Sequence, residues 1–159
     1  MKILVFSDSH GLHENIRAAV AAHEANTDLI IHLGDGVSDM QYVSSFFPQI
    51  PCITINGNRE SYTGETRVLD LDGVRILCMH GHSHGVKGGR LRAAYAAAEA
   101  DASLLLYGHT HVPDDSFFAL EGGKKIHLFN PGSITFCRPP SYGIICISKG
   151  NILSSHGTV

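Results

Sequence analysis

The sequence predicts an α/β fold in which two mixed β-sheets stack and helices cover their outer faces. Two observations carry that expectation. The first third of the chain reads β-α-β-α-β, the rhythm of a parallel sheet, and the remainder carries three hairpin signatures. No linker, repeat or low-complexity segment separates the two regimes, so the 159 residues read as a single domain, 1–159.

The elements follow in order. KILVFS (2–7) is a short apolar run of the kind buried on both faces, and it delivers Asp8-Ser9-His10 at its end. Leu12, Ile16, Ala19, Val20 and His23 recur at helical spacing, which predicts a helix over 12–25. DLIIHL (28–33) is a second strand closed by Gly34-Asp35-Gly36. Met40, Val43 and Phe47 then place a helix over 37–47 that Pro48 stops. PCITIN (51–56) is a third strand, ending in Gly57-Asn58-Arg59. Asp72-Gly73 lies between two alternating runs and predicts a hairpin. A helix over 89–100 would bury Leu91, Ala94, Tyr95 and Ala98, and SLLLY (103–107) is a further strand. Hairpins around Gly122-Gly123 and Lys149-Gly150 complete the chain.

Composition narrows the function. A net charge of −3 implies no basic face, so strong nucleic-acid affinity is not expected. The N-terminal apolar run is too short for a signal-peptide core, and no run approaches a membrane span. Cys52, Cys78, Cys137 and Cys146 are scattered without a C-x-x-C pair, which suits reduced thiols in a cytoplasmic protein.

The chemistry gathers at strand ends: Asp8-Ser-His10, Gly34-Asp35, Gly57-Asn58, His80-Gly-His82 and Gly108-His109-Thr-His111. In open α/β sheets ligands bind at the carboxyl ends of strands. On an extended backbone residues i and i+2 project to one side, so Asp8 with His10, and His109 with His111, would each present two donors. Each pair alone is a common turn or surface motif. Together, carboxylates, an amide and several imidazoles suit a divalent ion such as manganese, iron or zinc better than calcium.

In that order these motifs resemble the calcineurin-like metallophosphoesterases, over essentially the whole chain, and are most similar to the small YfcE-like phosphodiesterases, which share the HGH segment and Asn130-Pro131-Gly132-Ser133. The resemblance implies a four-layer αββα sandwich with a dinuclear metal centre. Asp8, His10 and His111 would bind one ion and Asn58, His80 and His109 the other, with Asp35 bridging. It also implies a hydrolase that attacks phosphoric esters with a metal-bound hydroxide, most simply a phosphodiesterase acting on a small-molecule substrate. Two ions per chain are expected, manganese first, with nickel, iron(II) or zinc as alternatives. Two other readings stand beside it: a phosphomonoesterase, or a non-catalytic scaffold like the retromer subunit of this fold. Self-association is open.

The chain departs from the family where many members place a histidine after Gly-Asn; here that residue is Arg59, followed by Glu60. Arg59 either holds a phosphate oxygen or pairs with Glu60 on the surface. Asp35, Asn58, Arg59 and His82 are taken as the residues acting on substrate. Asp39 reads as helix surface or as support behind the ligands, and Asn130 and Ser133 as backbone braces. His32 packs in its strand near the site, and His13, His23, His127 and His156 read as surface residues.

Overall fold

In the computed structural model, which describes residues 1–61 and 65–159, β1 (Lys2–Phe6), β2 (Leu29–His32) and β3 (Cys52–Thr54) run parallel. Helices α1 (His13–His23) and α2 (Val37–Ser44) connect them. Two antiparallel strands, β9 (Ser141–Ser148) and β10 (Asn151–Thr158), extend this sheet beyond β1, giving the order β10-β9-β1-β2-β3. The second sheet is β4-β5-β6-β8-β7, from β4 (Thr66–Leu71), β5 (Val74–Met79), β6 (Leu104–Tyr107), β7 (Asp114–Ala119) and β8 (Lys125–Asn130). Its centre, β5-β6-β8, is parallel and its edges are antiparallel, so both five-stranded sheets are mixed. Helix α3 (Leu91–Glu99) precedes β6.

Strand periodicity sorts the side chains into layers. Ile3 and Val5 of β1 face between the sheets, with Ile31, Ile76, Leu104, Leu106 and Phe129. Leu4 and Phe6 point the other way, onto Ile16, Val20, Met40 and Val43 of α1 and α2. Leu105, Tyr107, Ile126 and Leu128 meet α3 on the far side of the second sheet. Each fully buried apolar side chain of this size contributes roughly 1.5–3 kcal/mol, so a one-residue slip in a central strand would forfeit several such terms. The layers are αββα, as the motifs implied.

Two sequence expectations are corrected. Helix α2 ends at Ser44 rather than 47, although Met40, Val43 and Phe47 are buried as expected, because the chain continues in tight turns such as Phe47 N–H to Ser44 O (3.1 Å). Helix α3 buries Ala93, Ala94 and Ala97, whereas Leu91 (54 %) and Tyr95 (42 %) are exposed. An alanine face lets the helix lie close on the Leu105 and Leu128 side of the sheet, and the bulkier face is turned outward.

Candidate functional site

Five strands, β1, β2, β3, β5 and β6, end at one edge, and the residues that follow carry the predicted donors. Asp8 (φ 57°), His10 (48°), Asp35 (56°), His109 (67°) and His111 (59°) all sit in the left-handed region. That corrects the expectation of an extended backbone at Asp8–His10 and His109–His111. The chain turns sharply after each strand, and the turn aims the side chains back over the sheet edge. A non-glycine residue held there costs of order 1–3 kcal/mol and persists only where its surroundings over-determine it. Close approach does part of that work. A Cβ on Gly57 would strike Asp35 Oδ1, and one on Gly108 would strike Ser7 Oγ, so both positions admit only glycine.

The donors form two adjoining groups: Asp8, His10 and His111, and Asp35, His80 and His109. In the first, Asp8 Oδ1 is 3.2 Å from His111 Nε2 and 3.8 Å from His10 Nε2, and the two imidazole nitrogens are 3.4 Å apart. In the second, His80 Nε2 is 3.5 Å from Asp35 Oδ1, 3.1 Å from Asn58 Oδ1 and 3.2 Å from His109 Nδ1. Asp35 faces both, since its other oxygen lies 3.9 Å from His10 Nε2.

The buried Asp8 carboxylate decides whether this set suits cations. Its Oδ2 accepts from Ser7 Oγ (2.5 Å) and from His109 N–H (3.0 Å), but buried Oδ1 has no hydrogen-bond partner. An unsatisfied buried carboxylate oxygen is costly, and a cation there would satisfy it. Burial pushes the Asp8 carboxyl up, but His111, His80 and the Ser7 hydroxyl outweigh it, so the group stays below its usual value and ionised. Burial pulls His109 down to about 4, with His80 adding to the effect, and lowers His10 as well, so both rings offer lone pairs at neutral pH. His80 Nδ1–H donates to Leu33 O (2.7 Å), which leaves Nε2 free to face the group. The residues fit divalent ions.

The sequence pattern of the calcineurin-like phosphoesterase superfamily domain matches residues 1–150. The chain belongs to that family. It is 34% identical to the probable metallophosphoesterase YsnB of Bacillus subtilis over 156 residues, covering 94% of this chain and 86% of that one. A predicted phosphoesterase of known structure from Streptococcus pneumoniae superimposes with a TM-score of 0.77 at 27% identity, covering 99% of this chain and 88% of the other. Zinc-bound Vps29 from Entamoeba histolytica shares the fold at 21% identity, with a TM-score of 0.71 and 99% of each chain covered.

Around the metallophosphoesterase edge lie residues to which the motifs gave no clear part. Glu60 is the main one missed. Its carboxylate accepts from the backbone N–H groups of Asp35 (3.1 Å), Gly36 (2.8 Å), Val37 (3.2 Å) and Gly57 (2.5 Å). Burial raises the Glu60 carboxyl, and those four donors outweigh it and hold it below its usual range. The clamp joins the turn carrying Asp35 to the turn carrying Asn58. An acidic residue just after Gly-Asn was the available signal, but three of its four partners, Asp35, Gly36 and Val37, lie more than twenty positions back in the chain. Because Glu60 is so engaged, Arg59 does not pair with it. Arg59 is exposed and lines a pocket of about 240 Å³ with His10, Asp35 and Asp39, while its N–H donates to Asp35 Oδ1 (2.9 Å).

The remaining placements divide. Asp39 is buried and supports the Asp8–His10 turn, accepting from Ser9 Oγ (2.5 Å) and Gly11 N–H (2.8 Å). His32 is buried near the site, accepting from Gly34 N–H at Nδ1 (3.2 Å). Asn130 Nδ2 donates to Gly108 O (3.0 Å) and Ser133 Oγ to Asp8 O (2.8 Å), so this segment braces both ligand-bearing turns. His82 lies beside the second group, its ring 5.4 Å from that of His80 and 6.1 Å from that of His109, with a buried Nδ1 that has no partner. Three histidines expected at the surface are structural instead. His127 is buried against Asp115 (2.7 Å), His156 donates to Asn130 O (2.7 Å) while stacking on Phe129, and His23 reaches Tyr142 Oη (2.9 Å). Each has an apolar flank and a polar partner distant in sequence, which local pattern does not reveal.

Proposed function

We propose that this chain is one catalytic domain, a phosphodiesterase working with two divalent ions, manganese foremost. Asp8, His10 and His111 would hold one ion and Asn58, His80 and His109 the other, with Asp35 between them. The observation that carries the reading is the complete, convergent donor set around the unpartnered Asp8 Oδ1. Divalent ions in such a pair lower the pKa of water towards neutrality and offset charge on phosphoryl oxygens. Arg59, on the pocket beside His10 and Asp35, holds a phosphate oxygen through its guanidinium. His82 touches the substrate side of the second group. Burial and then His80 lower its pKa, so at neutral pH it is an uncharged imidazole and a weak proton donor. Departure of poor leaving groups therefore goes with little proton assistance, and rate depends steeply on leaving-group acidity. Free thiols at all four cysteines support a reducing, cytoplasmic setting.

The test loads purified protein with manganese and measures ions per chain alongside hydrolysis of bis-p-nitrophenyl phosphate and p-nitrophenyl phosphate. About two ions per chain and faster turnover of the diester are expected. Full loading without turnover of either ester would favour the scaffold reading, and preference for the monoester would favour a phosphomonoesterase.

A further inference from the structure

The geometry points to Phe136 as an aromatic platform that selects phosphate esters bearing a planar aromatic group, an inference that deepens the phosphoesterase reading and rests on it. Phe136 is 57 % exposed, although it sits against the ligand set. Its ring stacks on His111 with centroids 5.3 Å apart and planes 12° apart, and leans on His10 at 5.0 Å and 52°. Both histidines belong to the group centred on Asp8. Among the described residues no other Phe or Tyr ring stacks on these two.

The loop that carries the ring is also tied down, and the ring itself rests on His111 and His10. Phe136 N–H donates to Ser133 Oγ (2.8 Å), and the Ser133 hydroxyl donates to Asp8 O (2.8 Å). The Thr135 hydroxyl donates to Ser9 O (2.8 Å), and the Cys137 thiol donates to His111 O (2.9 Å). Loop 133–137 is thus tied to the turn bearing Asp8 and to the turn bearing His111. A core role does not account for an aromatic ring held half in water by bonds of this kind. Its position does: a phosphoryl group at the two donor groups carries its ester substituent to the rim where Phe136 stands. A pre-fixed ring loses little freedom when a planar group stacks on it. Base-on-aromatic stacking is worth about 5- to 150-fold in binding by alanine substitution. The class that fits is a phosphate ester with an aryl group or a nucleobase near phosphorus.

Calorimetric titration of the manganese-loaded protein tests this with two matched pairs: phenyl phosphate against methyl phosphate, and adenosine 5′-monophosphate against ribose 5-phosphate. The aromatic member of at least one pair is expected to bind roughly five-fold tighter or more. Preference in the first pair alone identifies an aryl ester, and in the second a nucleobase at longer reach. Phe136→Ala should erase the preference and Phe136→Trp should keep or widen it. Phe136→Leu keeps an apolar cover on His111 without a π face, and should lose the preference while retaining manganese. Equal binding within both pairs, no binding of any probe, or a preference that survives in Phe136→Leu would overturn the proposal. Hydrolysis of bis-p-nitrophenyl phosphate, followed in parallel, separates the two readings. Selective binding without turnover sinks the phosphoesterase reading and leaves the platform, whereas turnover without selectivity sinks the platform alone.

Discussion

Left-handed backbone appears at both ends of the molecule and is stabilised differently at each. At the hairpin end, Asp72 (φ 45°) and Gly73 (83°), and likewise Lys149 (49°) and Gly150 (81°), form two-residue turns with both central residues at positive φ. Such turns match the natural twist of the strands they join, so the conformation is repaid within a few residues. At the other end Asp8, His10, Asp35, His109 and His111 adopt similar angles, but the bonds that hold them come from far along the chain. Ser133 braces Asp8, Asn130 braces Gly108, and Glu60 clamps the Asp35 turn. The hairpin turns take their geometry from their own strands and, among the described residues, bond beyond them only to each other, Gly150 N–H to Asp72 O (2.9 Å) and Lys149 N–H to Asp72 Oδ2 (3.3 Å), whereas the site turns are held by several distant segments.

That contrast is tested most severely where one carboxylate faces both groups. Asp35→Asn removes a charge from each, so manganese content should fall to one ion per chain or fewer and turnover by about 10²–10³-fold or more. Metal analysis and steady-state hydrolysis measure this, and unchanged loading would show that Asp35 does not serve both groups. Next in size is Glu60→Gln, which keeps the shape but cannot accept charge-assisted bonds from four amides. Loss of a group orienting metal ligands typically costs 10–100-fold in metal affinity, and that range is expected here in a manganese titration. Affinity equal to the parent would mean that the Asp35 turn stands without its clamp, as a hairpin turn does.

A smaller effect separates the ends by pH. His32 is wholly buried beside the Asp35 turn, and burial lowers its pKa to about 4, against an ordinary value near 6.5. The unfolded chain therefore takes up a proton between those values while the folded chain resists it. The stability this ring contributes is complete above about pH 6.5 and is lost as pH falls towards 4. Thermal melts of metal-free protein should show the melting temperature of the parent falling more steeply across that window than that of His32→Gln. Parallel curves would mean that His32 protonates without cost.

The same contrast explains what the sequence revealed. Strand and hairpin positions were legible because Ile3 to Phe6 alternate between two cores and Asp72-Gly73 carries its own turn geometry. The donors were legible because Asp, Asn and His cluster at strand ends. Their backbone conformation was not, since positive φ at Asp8 or His109 is imposed by contacts over a hundred residues away, including the bond from His109 N–H to Asp8 Oδ2. Glu60 escaped because three of the amides it clamps belong to a different strand end, and Phe136 because its exposed ring has meaning only beside His10 and His111. In α3 a run rich in alanine allowed two faces, and close packing chose the smaller one.

The smallest effect is expected at Lys149, and it bears on whether the hairpin end is as self-contained as its turns suggest. Lysine in the left-handed region carries about 1–2 kcal/mol of steric cost that glycine does not. Glycine in turn loosens the unfolded chain, which offsets roughly 0.4–1 kcal/mol of the gain. Lys149→Gly should therefore be mildly stabilising, by up to about 1 kcal/mol, or a rise of no more than about 2–4 °C in melting temperature for a chain of this size. The bond from the residue 149 N–H to the Asp72 carboxylate oxygen Oδ2 (3.3 Å) is retained, because residue 149 contributes only its backbone to it. Lys149→Asn should do at least as well, since asparagine tolerates the conformation without glycine's freedom in the unfolded state. Manganese content and turnover should stay at parental values in both, because the strain relieved here lies at the hairpin end, where, among the described residues, the turn bonds only to the Asp72 turn and not to the donor groups. If either variant altered metal affinity several-fold, strain at the hairpin end would be coupled through the sheets to the donor groups, and the division between the two ends would fail.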